Sequence, residues 1–189
     1  MVHQHEGYLA GRLLIALPGM LDPRFSHSVI YLCSHNEYGA MGLIVNQIMD
    51  VVNFSDMLKA MNIRVHHDQR KRPVHFGGPV DTERGFVLHS GDYTCEDTLQ
   101  IKDGVSLTAT TDILKLIASG NGPTNALFAL GYAGWGPGQL DAEIQGNGWM
   151  FGVPTTEILF GQDNSQKWVL ATSRVGIDLS VLSSEGGNA

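Results

Sequence analysis

Three short apolar runs, at 13–17, 28–33 and 41–45, follow one another closely and are separated by turn-forming residues. Runs this short suit buried strands better than helices, and 28–33 is rich in β-branched and aromatic side chains. Between the second and third runs, Asn36-Glu37-Tyr38-Gly39 supplies turn chemistry, with Gly39 able to take positive φ. The spacing predicts an antiparallel hairpin with a four-residue loop, which commits the first part of the chain to a sheet.

Helical periodicity enters only afterwards. Phe54, Met57, Leu58 and Met61 recur at i, i+3, i+4 and i+7 behind Asn53 as N-cap, and this Met-rich face is read as core. Short strands are expected at 74–76 and 85–89 around Gly77-Gly78-Pro79-Val80, and Asp103-Gly104 joins 99–102 to 105–108 as a hairpin. Thr111-Asp112 opens a second helix with Ile113, Leu114 and Ile117 as its apolar stripe, and Gly120 ends it. A strand at 126–130, a glycine-rich loop at 131–138 and a helix carrying Leu140 and Ile144 come next, with Pro137 at the first helical position. A strand at 149–153 precedes a last helix at 166–175, with Ser165 as cap and Trp168, Ala171, Thr172 and Val175 on one side. Regular βαβ alternation is missing, so the pattern predicts one compact α+β domain over 1–182 with a mixed, mostly antiparallel sheet flanked by helices. Residues 183–189 are expected to form a frayed tail.

Charge narrows the classes of partner. With 12 Lys+Arg against 19 Asp+Glu, the net charge of -7 disfavours direct nucleic-acid binding. The basic stretch 66–72 lacks interleaved aromatics and is read as a solvated loop. No run approaches the ~18 apolar residues needed to cross a bilayer, and Pro18 interrupts the first apolar run before it resembles an export signal. A cytoplasmic protein without membrane contact is expected. Cys33 and Cys95 form no CxxC motif and are read as reduced core thiols.

Several blocks together resemble one known family. They are Leu14-Ile15-Ala16-Leu17-Pro18-Gly19-Met20-Leu21-Asp22-Pro23-Arg24-Phe25, then 28–33 with His35, then Gly39-Ala40-Met41-Gly42-Leu43-Ile44-Val45-Asn46. Gly77-Gly78-Pro79-Val80, Arg84-Gly85-Phe86-Val87-Leu88-His89-Ser90 and 130–140 continue the match. On these blocks the sequence resembles the YqgE/AlgH family of bacterial proteins, with Asn46-Gln47-Ile48 departing from the Asn-Xaa-Pro expected there. The resemblance implies a compact α+β domain with a strongly curved or barrel-like sheet and an association with transcriptional regulation. It carries over no catalytic residues.

Candidate sites follow from the histidines and the glycine clusters. The 131–138 loop fits neither GxGxxG nor a GK[ST] ending, and Asp141 and Glu143 place carboxylates just beyond it, so phosphate is disfavoured there. Tyr132, Trp135 and Gln139 instead suggest a groove for a small molecule or protein partner, joined by His75, Gly77, Gly78, Pro79, Arg84, His89 and Ser90. A hydrolase reading would pair His75 or His89 with Ser90, oriented by Asp81 or Asp92, yet no GxSxG, SxxK or HExxH motif supports it. His27, Cys33 and His35 would share one strand face if 27–35 were a continuous strand, a nonspecific hint of a metal site. No cofactor or metal is assigned. The leading expectation is a non-enzymatic regulatory protein that binds a ligand or partner, with the hydrolase and a directly DNA-acting regulator as alternatives.

Overall fold

The computed structural model describes residues 8–146, 148–177 and 179. Nine strands form one mixed sheet: β1 (Leu13–Ala16), β2 (Val29–Asn36), β3 (Gly39–Ile44), β4 (His75–Phe76), β5 (Val80–Ser90), β6 (Leu99–Lys102), β7 (Val105–Thr108), β8 (Ala126–Trp135) and β9 (Trp149–Gly152). Among the described residues five α-helices join them: α1 (Phe54–Ala60), α2 (Thr111–Ala118), α3 (Gln139–Gln145), α4 (Thr156–Phe160) and α5 (Asn164–Arg174). The strand order is β6-β7-β5-β8-β3-β2-β1-β9, with the short β4 running parallel to β8 and every other pairing antiparallel.

The sheet is open, which corrects the barrel-like expectation. β6 and β9 are its edges, and among the described residues no ladder joins them. Gly11, just ahead of β1, lies close beneath the Lys102 side chain at the end of β6, so a cross-sheet contact exists without backbone closure.

Strand alternation divides the core. Leu13, Ile15, Val29, Tyr31 and Leu43 face one side with Phe86 and Leu88, where Ile158 and Leu159 of α4 and Trp168 and Ala171 of α5 cover them. Leu14, Ile30, Leu32 and Ile44 face the other side with α3's Leu140. On that same side α1 and α2 cover Val87 and Phe128 through Phe54, Leu58, Ile113 and Ile117. β1 is therefore buried on both faces, which is why it reads as an unbroken apolar run.

Local signals held where side chain and backbone agree. Asn53 caps α1 by accepting from the Asp56 N–H at 3.1 Å, and Asp103 and Gly104 both take positive φ in the β6–β7 turn. Four expectations need correction. α3 begins at Gln139 behind Gly138, so Pro137 precedes the cap and does not occupy the first helical position. The β2–β3 turn holds two residues, because Asn36 pairs with Gly39 inside the ladder. Asp163, not Ser165, caps α5: its carboxylate accepts from the Ser165 N–H at 3.1 Å. The glycine-rich loop is mostly strand, since β8 continues through Trp135 and pairs Gly134 with Met41 and Ala133 with Gly42. The expected tail at 183–189 lies outside the described residues. No described helix is long and apolar enough to cross a membrane.

Candidate functional site

The residues expected to form one cleft are distributed over separate places. Gly77 and Gly78 sit where the β4–β5 connection crosses β8. A Cβ on Gly78 would collide with the Tyr132 backbone, and one on Gly131, at φ +73°, with the Gly78 carbonyl. These glycines permit two backbones to touch; Pro79 borders the exposed 81–84 bulge instead.

Trp135 and Gln139 belong to a second arrangement. The Glu143 carboxylate on α3 accepts from Trp135 Nε1 at 2.9 Å and Trp149 Nε1 at 3.0 Å through one oxygen, and from Gln139 Nε2 at 3.0 Å through the other. Trp135 is only 7% exposed. Through Glu143 its indole fastens β8 to α3, as that of Trp149 fastens β9.

His89 and Ser90 do not form a nucleophile–base pair. The Ser90 hydroxyl donates to Asp92 at 2.6 Å and accepts from the Asn125 N–H at 2.9 Å. His89 Nδ1 donates to the Ser90 carbonyl at 2.8 Å, which leaves Nε2 to accept from Thr108 Oγ1 at 2.8 Å. Thr98 Oγ1 lies 2.8 Å from Thr108 Oγ1 and 3.3 Å from Cys95 Sγ. Burial holds the His89 imidazole below its ordinary pKa, whereas the Thr98 hydroxyl draws the Cys95 thiol below its own.

His27, Cys33 and His35 do not share one strand face. His27 precedes β2 with φ 56° and packs its ring against Trp168, while a register shift separates Leu32 from Ser34. Cys33 is buried, and His35 accepts from the Leu9 N–H at 3.1 Å and lies 3.6 Å from Asp141. Among the described residues no group of three metal-binding side chains converges.

Two of the concavities among the described residues bring together side chains of the expected kind. The first is a shallow groove of about 540 Å³ between the β2–β3 hairpin, β5 and β8, bordered by Tyr38, Met41, Val80, Arg84, Phe86 and Tyr132. Tyr132 meets Phe86 edge to face at 5.8 Å, and the Arg84 guanidinium stands 5.0 Å from the Phe86 ring centroid. Tyr132, Trp135 and Arg84 are thus the expected site residues that do converge.

The second is a polar cavity of about 570 Å³ beneath the 68–73 segment, between the start of β8 and the α4–α5 connection. His75 lines it, with Nδ1 3.3 Å from the Phe128 carbonyl and Nε2 3.1 Å from the Asn164 side-chain amide. Burial pushes the His75 imidazole down to about 4. Beside it Lys167, 1% exposed, donates to the Val45 carbonyl at 2.8 Å and the Leu159 carbonyl at 3.2 Å. Desolvation lowers its ammonium to about 8. Arg72, expected to be solvated with its neighbours, is half-buried and donates to the Ala126 carbonyl at 3.0 Å and to Gln69. Lys167 was missed, although a signal exists: it is a lone cation four residues before Ala171 on the apolar stripe of α5.

Comparison with known proteins agrees with the sequence blocks. A family model described as AlgH-like matches residues 13–180. A UPF0301 protein of Bradyrhizobium diazoefficiens is 51% identical over 191 residues, spanning 97% of this chain and 89% of its own. Another, from Rhodospirillum rubrum, is 46% identical over 189 residues, with 100% and 98% covered. The solution structure of the AlgH protein from Pseudomonas aeruginosa superposes with a TM-score of 0.78 at 37% identity, over 100% of both chains. A Corynebacterium diphtheriae protein, at 20% identity and a TM-score of 0.65 over 85% and 83% of the two chains, shares the fold. The chain belongs to the AlgH-like family.

Proposed function

We propose that this protein is a cytoplasmic, non-enzymatic regulatory protein that works by capturing a partner in the groove over Phe86 and Tyr132. The observation that carries the reading is the convergence there of Tyr132 and Arg84 with Tyr38 and Met41, residues from three separated strands and a turn. Aromatic and methionine side chains supply adaptable apolar area. Arg84 is the lone charged side chain of the lining and forms no ion pair among the described residues, so the groove suits an apolar peptide segment bearing a carboxylate. The net charge of -7 argues against a nucleic-acid backbone as that partner. The separate hydrogen-bond partners of Ser90 and the two histidines favour binding over hydrolysis.

The test is titration of the full chain with matched apolar peptides, with and without one glutamate, followed by backbone amide shifts. The acidic peptide should bind more tightly, and Arg84→Glu should abolish that preference while Tyr38→Ala weakens both. Equal affinity for both peptides, or an unchanged preference in folded Arg84→Glu, overturns the reading.

A further inference from the structure

The polar cavity under the 68–73 segment differs in charge from the rest of the molecule. In a chain of net charge -7, its lining carries Lys71, Arg72 and Lys167 against the single carboxylate of Asp68. That carboxylate already faces His66 and His67 at 3.6 and 3.4 Å. None of the three cations forms an ion pair among the described residues.

Each of the two inner cations is held but not saturated. Lys167 has three N–H groups and spends two on the Val45 and Leu159 carbonyls, which anchor the ammonium at the cavity wall. Arg72 has five N–H groups and spends three on Ala126 and Gln69, leaving part of its planar fork for another acceptor. A buried ammonium held by carbonyls alone remains without a counter-charge, and an anion entering this low-dielectric site would supply one. Neutral polar groups complete the wall: Gln69, Thr124, Asn125, Gln162 and Asn164. A volume of about 570 Å³ exceeds what a bare ion needs and lies within the range of small-molecule sites.

We infer that this cavity is a binding site for a small polar metabolite carrying an oxyanion head, phosphate or carboxylate, held between Arg72 and Lys167 and lined for hydroxyl or amide groups. The site is separate from the aromatic groove and stands or falls independently of it.

Inorganic phosphate and succinate are the probes, each titrated into the full chain at an ionic strength fixed with chloride and followed by backbone amide shifts. Saturable shifts confined to 68–75, 124–128 and 159–167, the segments that line the cavity, are expected, and the stronger of the two probes identifies the head group. Arg72→Gln should weaken the stronger probe about tenfold or more, the loss of one charge-assisted contact. Asp68→Asn, which removes the lone carboxylate on an exposed turn, should tighten it about two- to threefold and serves if Arg72→Gln does not fold. Shifts that match a chloride titration, or an affinity unchanged in both variants, overturn the inference.

Discussion

Replacing Glu143 with alanine removes one carboxylate that three side chains share. Its Oε2 accepts from the indole N–H groups of Trp135 and Trp149 at 2.9 and 3.0 Å, and those rings are 7% and 4% exposed. The two donors would lose their partner while staying inside the interface between α3 and the sheet. A fully buried donor left unsatisfied costs about 1–3 kcal/mol. Glu143 itself is half-buried, so water can reach the vacated position and the cost belongs at the lower end for each indole. Their sum is about 2–4 kcal/mol, which for a domain of this size corresponds to a midpoint lowered by about 5–15 °C. Urea and thermal unfolding, followed by tryptophan fluorescence, measure this directly. If the cost arises from the orphaned donors, Glu143→Ala made on top of Trp135→Phe and Trp149→Phe should cost less than about 1 kcal/mol. A loss below about 0.5 kcal/mol in the wild-type background, or full additivity with the phenylalanine substitutions, would refute the reasoning.

Three further outcomes follow. His75 binds its proton near 4 when folded but near its ordinary 6.5 when unfolded, so the unfolded chain holds more protons between those values. Stability from this group therefore falls as pH drops from about 6.5 to 4, by up to about 3 kcal/mol, and His75→Gln should flatten that part of a chemical-denaturation pH series. Burial pushes the Cys33 thiol up to about 12, whereas Cys95 is partly exposed with a lowered pKa. One thiol per native chain should react quickly with a disulfide reagent, identified as Cys95 by mass spectrometry, and the second only on unfolding. Gly131 and Gly104 share nearly the same φ, +73° and +75°, but a Cβ meets the Gly78 carbonyl at the first and open space at the second. Gly104→Ala should cost about 1 kcal/mol and Gly131→Ala at least twice that by urea midpoint.

Elements whose identity depends on neighbouring residues in sequence were legible. The Asn53 cap, the Asp103-Gly104 turn and the apolar stripe of α2 all state their own conformation through local chemistry. The stretch 131–135 was misread because its glycines carry the usual signature of a loop, yet they serve the close crossing of the β4–β5 connection over a strand. That requirement comes from residues some fifty positions earlier and leaves no mark on local periodicity. α4 was missed because five residues hold too little pattern to detect, although Thr155 caps it by accepting from the Ile158 N–H. The groove was half legible: Tyr132, Trp135 and Arg84 were named, while Tyr38 and Met41 arrive from the hairpin through long-range pairing. In the charged cavity His75 was named and Lys167 leaves a local signal, but their meeting with Arg72 was illegible, since the three belong to segments that only the folded sheet brings together.

The pairing of β8 bears on how the molecule is made. Its neighbours β3, β4 and β5 all precede it in the chain, and it joins the two halves of the sheet. While the polypeptide leaves the ribosome, β3 and β5 emerge with their facing edges vacant and must wait until Ala126–Trp135 has cleared the exit tunnel. Hairpins β2–β3 and β6–β7 can form during that interval, but the sheet cannot be joined. Until then the unpaired edges are open to any extended chain nearby, so mispairing is favoured before β8 arrives and suppressed once it has.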